Sequence, residues 1–236
     1  MNALILMTRV PLPGMTKTRL MDIMTGEECA NLHMEFLKDL FNTFKALKED
    51  IDIYITYTPE YSLGVIGNII PNFTKTFPQR GEDLGSKMYN GISHVLNLGY
   101  EKVVLIGSDI PHISSSDIFY SFEILDKNHI VLGPSYDGGY YLIGMKTPNK
   151  GIFHINKKWG GKSVLESTVD IINSQGLTVD FAPKYMDIDT KEDLFLFMDM
   201  YKNNENPIAS NTIEFVRRWS GKYDKKQINR TNQTIY

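Results

Sequence analysis

Val103-Val104-Leu105-Ile106-Gly107-Ser108-Asp109-Ile110-Pro111 is the stretch on which the reading of this chain turns. Four consecutive aliphatic residues followed by turn formers predict a short strand buried on both faces, as in a parallel sheet. Pro111 lacks a backbone donor and ends the strand. In open α/β sheets ligands bind beyond the carboxyl ends of the strands, which is where Asp109 falls. A carboxylate in that position suits a divalent cation held against phosphate oxygens. It equally suits a loop residue that caps the helix that follows.

Working outward, the same alternation recurs. Ala3 to Met7 predicts a buried first strand, and a loop with Pro11, Pro13 and Gly14 follows it. Helical spacing of Leu37, Leu40, Phe41 and Phe44 marks a long helix from about Gly26 to Leu47. A strand is expected over Ile51 to Tyr57, a helix over Ser86 to Leu98, and a helix N-capped near Ser114 to Ser116 and running through Leu125. Strands over Ile130 to Leu132 and Tyr140 to Ile143 flank the turn Asp137-Gly138-Gly139. A helix over Ser163 to Ser174, a strand over Thr178 to Phe181 and a helix over Lys191 to Tyr201 complete the pattern. Strands alternating with helices predict an α/β three-layer sandwich, a mostly parallel sheet covered on both faces. Residues 1–201 read as one domain. In 202–236 the composition shifts toward Asn and Lys, giving one amphipathic helix around Ile213 to Trp219 and a disordered last dozen residues. That helix either packs on the domain or makes a homodimer contact.

The 236 residues carry a net charge of −3, which gives no bias toward nucleic acid or an anionic membrane. The single cysteine, Cys29, excludes an intramolecular disulfide and a cysteine-rich zinc site. No segment approaches membrane-spanning length, and the apolar run at Ala3 to Met7 is too short for a signal peptide, so a cytoplasmic address is expected.

Four constellations carry chemistry. Arg9, Lys17 and Arg19 flank Pro13-Gly14 at a strand-to-helix turn, an arrangement suited to a polyphosphate or simply to a solvated basic loop. The loop is not a Walker A motif, because Gly14-Met15-Thr16-Lys17-Thr18 lacks the second glycine. Gln79-Arg80-Gly81-Glu82-Asp83-Leu84-Gly85 can let a planar base approach the backbone, or it is a surface connection. Asp137-Gly138-Gly139-Tyr140 is first a hairpin turn, and its glycines could also meet a sugar or acceptor. In Asp187-Ile188-Asp189-Thr190, Thr190 and Asp193 form a capping box. Asp187 and Asp189 share one side of the extended chain, where either could join Asp109 at a metal. Trp159 could stack on a ligand or cap the core, and the histidines, including His33 and His112, form no cluster.

These segments in this order, from Pro11-x-Pro13-Gly14-x-x-Lys17-Thr18-Arg19-Leu20 to Asp187-Ile188-Asp189-Thr190, resemble the DUF2064 family. Asp137-Gly138-Gly139-Tyr140-Tyr141, within the run that starts at Leu132-Gly133-Pro134, is the most specific block. The resemblance implies a mixed sheet of the GT-A nucleotide-diphospho-sugar transferase type, related to phospholactate guanylyltransferases and molybdenum-cofactor nucleotidyltransferases. It implies that Arg9, Gly14, Lys17 and Arg19 grip a triphosphate and that Gln79, Gly81, Asp83 and Gly85 line the base. Ser108 is read as part of the nucleotide set, and Asp109, with Asp189 or Asp187, as the ligands of Mg²⁺ or Mn²⁺. Asp137, Gly138, Gly139, Tyr140 and Trp159 are left for the acceptor. Where relatives carry a Trp-Ser-Thr-like segment this chain has Trp159-Gly160-Gly161, so the acceptor is expected to differ.

Two reactions fit. An acceptor phosphate or phosphonate attacks the α-phosphorus of an NTP and releases pyrophosphate, with Lys17, Arg19 and a cation on Asp109 countering the developing charge. Alternatively, an acceptor hydroxyl attacks the anomeric carbon of an NDP-sugar. Three cations on one loop favour the more highly charged triphosphate, and no Asp-x-Asp precedes Asp109. A non-catalytic nucleotide-binding protein is the third reading.

Overall fold

The computed structural model describes residues 1–155, 163–201 and 208–233. Its strands are β1 (Asn2–Arg9), β2 (Ile51–Thr58), β3 (Thr74–Pro78), β4 (Lys102–Gly107), β5 (Ile130–Pro134), β6 (Tyr140–Met145) and β7 (Val179–Phe181). The helices are α1 (Gly26–Phe44), α2 (Leu84–Leu96), α3 (Ser115–Lys127), α4 (Val164–Ser174), α5 (Lys191–Met200) and α6 (Ser210–Gln233). The strands form one sheet in the order β3-β2-β1-β4-β6-β5-β7. Every pairing is parallel except those of β6, which runs antiparallel to β4 and β5. The α/β three-layer expectation holds, with this reversed strand making the sheet mixed.

Alternation along the strands builds the layers. On one face Leu4, Leu6, Ile53, Ile55, Val104 and Ile106 pack with Leu37, Leu40 and Phe44 of α1 and with Ile118 and Phe122 of α3. On the other, Ala3, Ile5, Val103 and Leu105 meet Met88, Ile92 and Val95 of α2 and Ile172 of α4. Because β1 and β4 are buried on both faces, they read in sequence as unbroken apolar runs. Helix starts follow the capping residues: Thr25 and Glu28 form a capping box on α1, Ser114 caps α3, and Thr190 with Asp193 forms the expected box on α5.

Two expectations change. The edge strand β3 escaped notice because its half-exposed residues Thr74 and Lys75 carry no apolar alternation. The final helix reaches Gln233, through residues expected to be disordered. Its first turn is anchored to the domain. The wholly buried Asp39 carboxylate of α1 accepts hydrogen bonds from Asn211 N (3.0 Å) and Thr212 N (2.8 Å), and from their side chains. Ile213, Val216 and Trp219 bury against Leu32 and Phe36 of α1 and Leu194 and Phe197 of α5. An anchored first turn removes the nucleation cost, and the Lys- and Gln-containing residues beyond it can then propagate the helix. The helix thus packs on its own domain. Cys29 is buried in the same cluster, its thiol pushed up to about 11 by burial. No described helix is long and apolar enough to cross a membrane.

Candidate active site

The carboxyl ends of β1 and β4 lie side by side, with Met7 paired to Gly107. The loops that leave them open into a cleft of about 650 Å³. In the loop after β1, Arg9 Nη1 donates to the Met15 carbonyl at 2.8 Å. Gly14 takes a positive φ of 73°, and Gly26 at the start of α1 packs so closely beneath it that a Cβ there would lie 2.8 Å from Gly14 N. Lys17 stands in the left-handed region at φ 49° and begins a short 3-10 turn over Thr18–Asp22.

Under this loop lies a polar knot that the sequence reading missed. His33 of α1 is buried, with Nδ1 2.5 Å from Thr16 Oγ1 and Nε2 3.0 Å from Ser108 Oγ and 3.3 Å from Thr8 Oγ1. One ring therefore joins β1, the basic loop and the residue preceding Asp109. Burial, reinforced by the charges of Lys17 and Arg9, pushes its pKa down to about 3, so the ring is neutral. Each partner is remote in sequence, and a histidine inside a helical pattern carries no local signal.

Lys17 ends among carboxylates. Its Nζ lies 2.5 Å from Asp109 Oδ1 and 3.5 Å from Asp189 Oδ1, and donates to the Ile188 carbonyl at 2.7 Å. Arg19 Nη1 donates to Asp189 Oδ2 at 3.0 Å. Residues 187–190 are pinned alongside by the bond from Ile188 N to the Asp109 carbonyl. Burial, with help from Asp137, Asp189 and Asp109, pushes the Asp187 carboxyl up to about 6.

On the opposite wall, Gln79 Nε2 donates to the carbonyls of Thr8 (2.9 Å) and Thr56 (3.2 Å), tying together the ends of β1 and β2. Its amide nitrogen thus holds strand ends. Asp83 caps α2 by accepting from Ser86 N at 2.7 Å, which holds its carboxyl below the usual range. On the far side, Asp137 Oδ1 accepts from Gly139 N at 2.9 Å and from Ser135 Oγ, so this carboxylate braces the hairpin turn. Gly138 supplies the positive φ of 92° that the turn needs.

One cleft gathers Arg9, Lys17, Arg19, Gln79, Asp83, Ser108, Asp109, Asp137, Gly139, Tyr140, Asp187 and Asp189. Gly14, Gly81, Gly85 and Gly138 do not line it; Gly85 lies in α2, and the other three take positive φ in loops. Lys87, on α2, adds a cation that the sequence reading did not single out. Trp159 lies outside the described residues.

Asp109, Asp187 and Asp189 offer the hard carboxylate oxygens that Mg²⁺ or Mn²⁺ takes. Among the described residues no group of three or more His, Cys, Asp or Glu side chains stands ready to hold a metal ion. The Lys17 ammonium is the cation found between Asp109 and Asp189, and it marks where positive charge is wanted. The donor chemistry therefore fits a divalent cation.

This fold, with its cleft at the strand ends, is one shared with transferases. The chain belongs to the DUF2064 family, described as uncharacterized protein conserved in bacteria, whose family model matches residues 25–160. It is similar to a proposed nucleotide-diphospho-sugar transferase from Desulfovibrio desulfuricans G20, with a TM-score of 0.85, 27% identity and coverage of 95% of this chain and 97% of that one. It is also 29% identical over 181 residues to a 2-phospho-L-lactate guanylyltransferase of Methanocaldococcus infernus, covering 75% of this chain and 76% of the relative. The corresponding protein of Methanocaldococcus jannaschii is 29% identical over 185 residues, 75% of each chain. A 4-diphosphocytidyl-2C-methyl-D-erythritol synthase from Anaerococcus prevotii shares the fold, with a TM-score of 0.55 at 13% identity over 86% of this chain and 97% of that one.

Proposed function

We propose that the protein is a nucleotidyltransferase that joins an NTP to a small phosphorylated or phosphonate acceptor and releases pyrophosphate. The observation that carries this reading is the meeting of Arg9, at the end of β1, and Lys17 and Arg19, from the segment that follows it, with Asp109 and Asp189 in a single cleft. Likeness to the phospholactate guanylyltransferases supports it and makes GTP the first nucleotide to test.

In the reaction an acceptor oxygen bonds to the α-phosphorus, the bond to the bridging α–β oxygen breaks, and pyrophosphate leaves with the electron pair. Catalysis of this kind is positioning plus stabilisation of charge on the phosphoryl oxygens. Arg9 and Arg19, both exposed, would meet the polyphosphate, and the helix-capping loop at 79–85 would flank the base. Asp109 and Asp189 would hold Mg²⁺ or Mn²⁺, which supplies positive charge to the phosphate oxygens when bound. Asp109→Ala should abolish turnover while the protein remains folded.

A glycosyltransferase using an NDP-sugar is the second reading. The TM-score of 0.85 with the Desulfovibrio protein favours it, as does the Asp137 carboxylate on the wall left for the acceptor. A thermal-shift screen of NTPs and NDP-sugars, with and without Mg²⁺, separates the two, because a ligand that binds only the folded state must raise its stability. Metal-dependent stabilisation by GTP or another NTP, and not by NDP-sugars, supports nucleotidyl transfer; the reverse preference overturns it.

A further inference from the structure

Within the cleft, the Lys17 side chain is buried in a way that those of Arg9 and Arg19 are not. Its side chain is 2% exposed, against 64% for Arg19. Its Nζ donates to the Ile188 carbonyl and forms ion pairs with Asp109 and Asp189. The ring of Phe36 lies 5.0 Å from its Nζ. To grip a phosphate, an ammonium held in this way has first to leave these partners. The backbone agrees that the position is special, since a left-handed φ of 49° is uncommon for a residue with a Cβ and such strain collects at switch points.

The two carboxylates it bridges are also the pair best suited to a divalent cation, and Asp137 and Asp187 stand near enough to push on the same charge balance. One pocket therefore has two competing cations, one built into the chain and one from solution. We propose that Lys17 is the resident cation of this acidic pocket. A divalent cation taken up by Asp109 and Asp189 displaces its ammonium, and the released side chain turns into the cleft toward the anionic ligand. Metal and anion then strengthen each other's binding, because each favours the displaced position of the lysine. The identity of the anion as a nucleotide polyphosphate rests on the function proposed above; the exchange of cations does not.

The test is a Mn²⁺ titration followed by electron paramagnetic resonance of the free ion, without nucleotide. Lys17→Met keeps the length and removes the charge, and Lys17→Gln also keeps a donor for the Ile188 carbonyl. Both should bind Mn²⁺ roughly tenfold more tightly than the unmodified protein, since a positive charge in contact with the ligand carboxylates is gone. Adding Asp109→Asn should erase the gain and so locate the ion. Unchanged or weaker Mn²⁺ binding in either folded variant overturns the proposal. So does failure of both to fold, because a lysine that the fold cannot release is not exchangeable. GTP binding measured in parallel keeps the two readings apart. Tighter Mn²⁺ binding without any nucleotide affinity would support the exchange and refute the nucleotide. Nucleotide affinity with unaltered Mn²⁺ binding would do the opposite.

Discussion

Stability between pH 4.5 and 5.5 should rise with pH, and the slope can be worked from three buried groups. Burial, helped by the charges of Lys17 and Arg9, holds His33 down to about 3, and burial alone holds His112 down to about 4, both from an ordinary 6.5. Their folded values lie below the unfolded one, so the stability they contribute is complete above the ordinary value and is lost on acidification. Near pH 5 the unfolded chain binds about two protons on these rings that the folded chain does not. Asp187 acts in the opposite sense. Its carboxyl is raised from 3.8 to about 6, mainly by burial, so its contribution is complete below the unfolded value and lost as pH rises through the folded one. Near pH 5 it gives the folded chain about one extra proton. Two minus one leaves about one excess proton on the unfolded chain, a slope of about 1.4 kcal/mol per pH unit. Asp52, held low chiefly by the Tyr100 hydroxyl, and Asp126, held low by Lys102, act in the histidines' sense but at lower pH. The assay is urea unfolding at half-unit pH steps with a chelator present. His33→Gln removes one proton and should flatten the slope to about zero, while Asp187→Asn should roughly double it. A His33→Gln protein with the unmodified slope would show that the buried ring does not set the pH dependence.

Two further substitutions test the packing. Asp39→Ala strips four hydrogen bonds of 2.6–3.0 Å from the first turn of α6 and leaves buried donors unpaired, which should cost about 3 kcal/mol. A loss below about 1 kcal/mol by urea unfolding would show that the carboxylate does not anchor the helix. Gly144→Ala places a Cβ 2.7 Å from Val131 Cγ1 and 2.9 Å from Val104 Cγ2 in the interior of β6, and should cost about 1–3 kcal/mol by the same measurement. A neutral result there would mean that the sheet interior yields more than close packing allows.

The sequence disclosed what is periodic or punctuated. Strands such as β1 and β4, buried on both faces, announce themselves as apolar runs, and Ser114 and Thr190 announce helix starts through their side chains. Asp109 was legible because a strand end and a proline bracket it. Three features escaped because their causes are distant in the chain. His33 gains its meaning from Thr8, Thr16 and Ser108, the last 75 residues away. Lys17 looked like a free phosphate-gripping cation because nothing local says that residues 109, 188 and 189 will close around it. Asp39 carries no local mark, because its partners Asn211 and Thr212 come from the far end of the chain. Gln79 lines the cleft, yet its amide nitrogen serves the backbone of two strands, which no motif could reveal.

The reversal of β6 also separates what can vary from what must stay. Because this strand enters the sheet from the cleft end, the 135–139 turn before it overhangs the site, while pairing deeper in the sheet fixes its register with β4 and β5. Asp109 arrives on β4 from the other direction. New side chains or an insertion in that turn can therefore redraw one wall without shifting the aspartate. A lineage built on this sheet can redraw that wall by rewriting a short loop, and inherit the Asp109 end of the cleft intact.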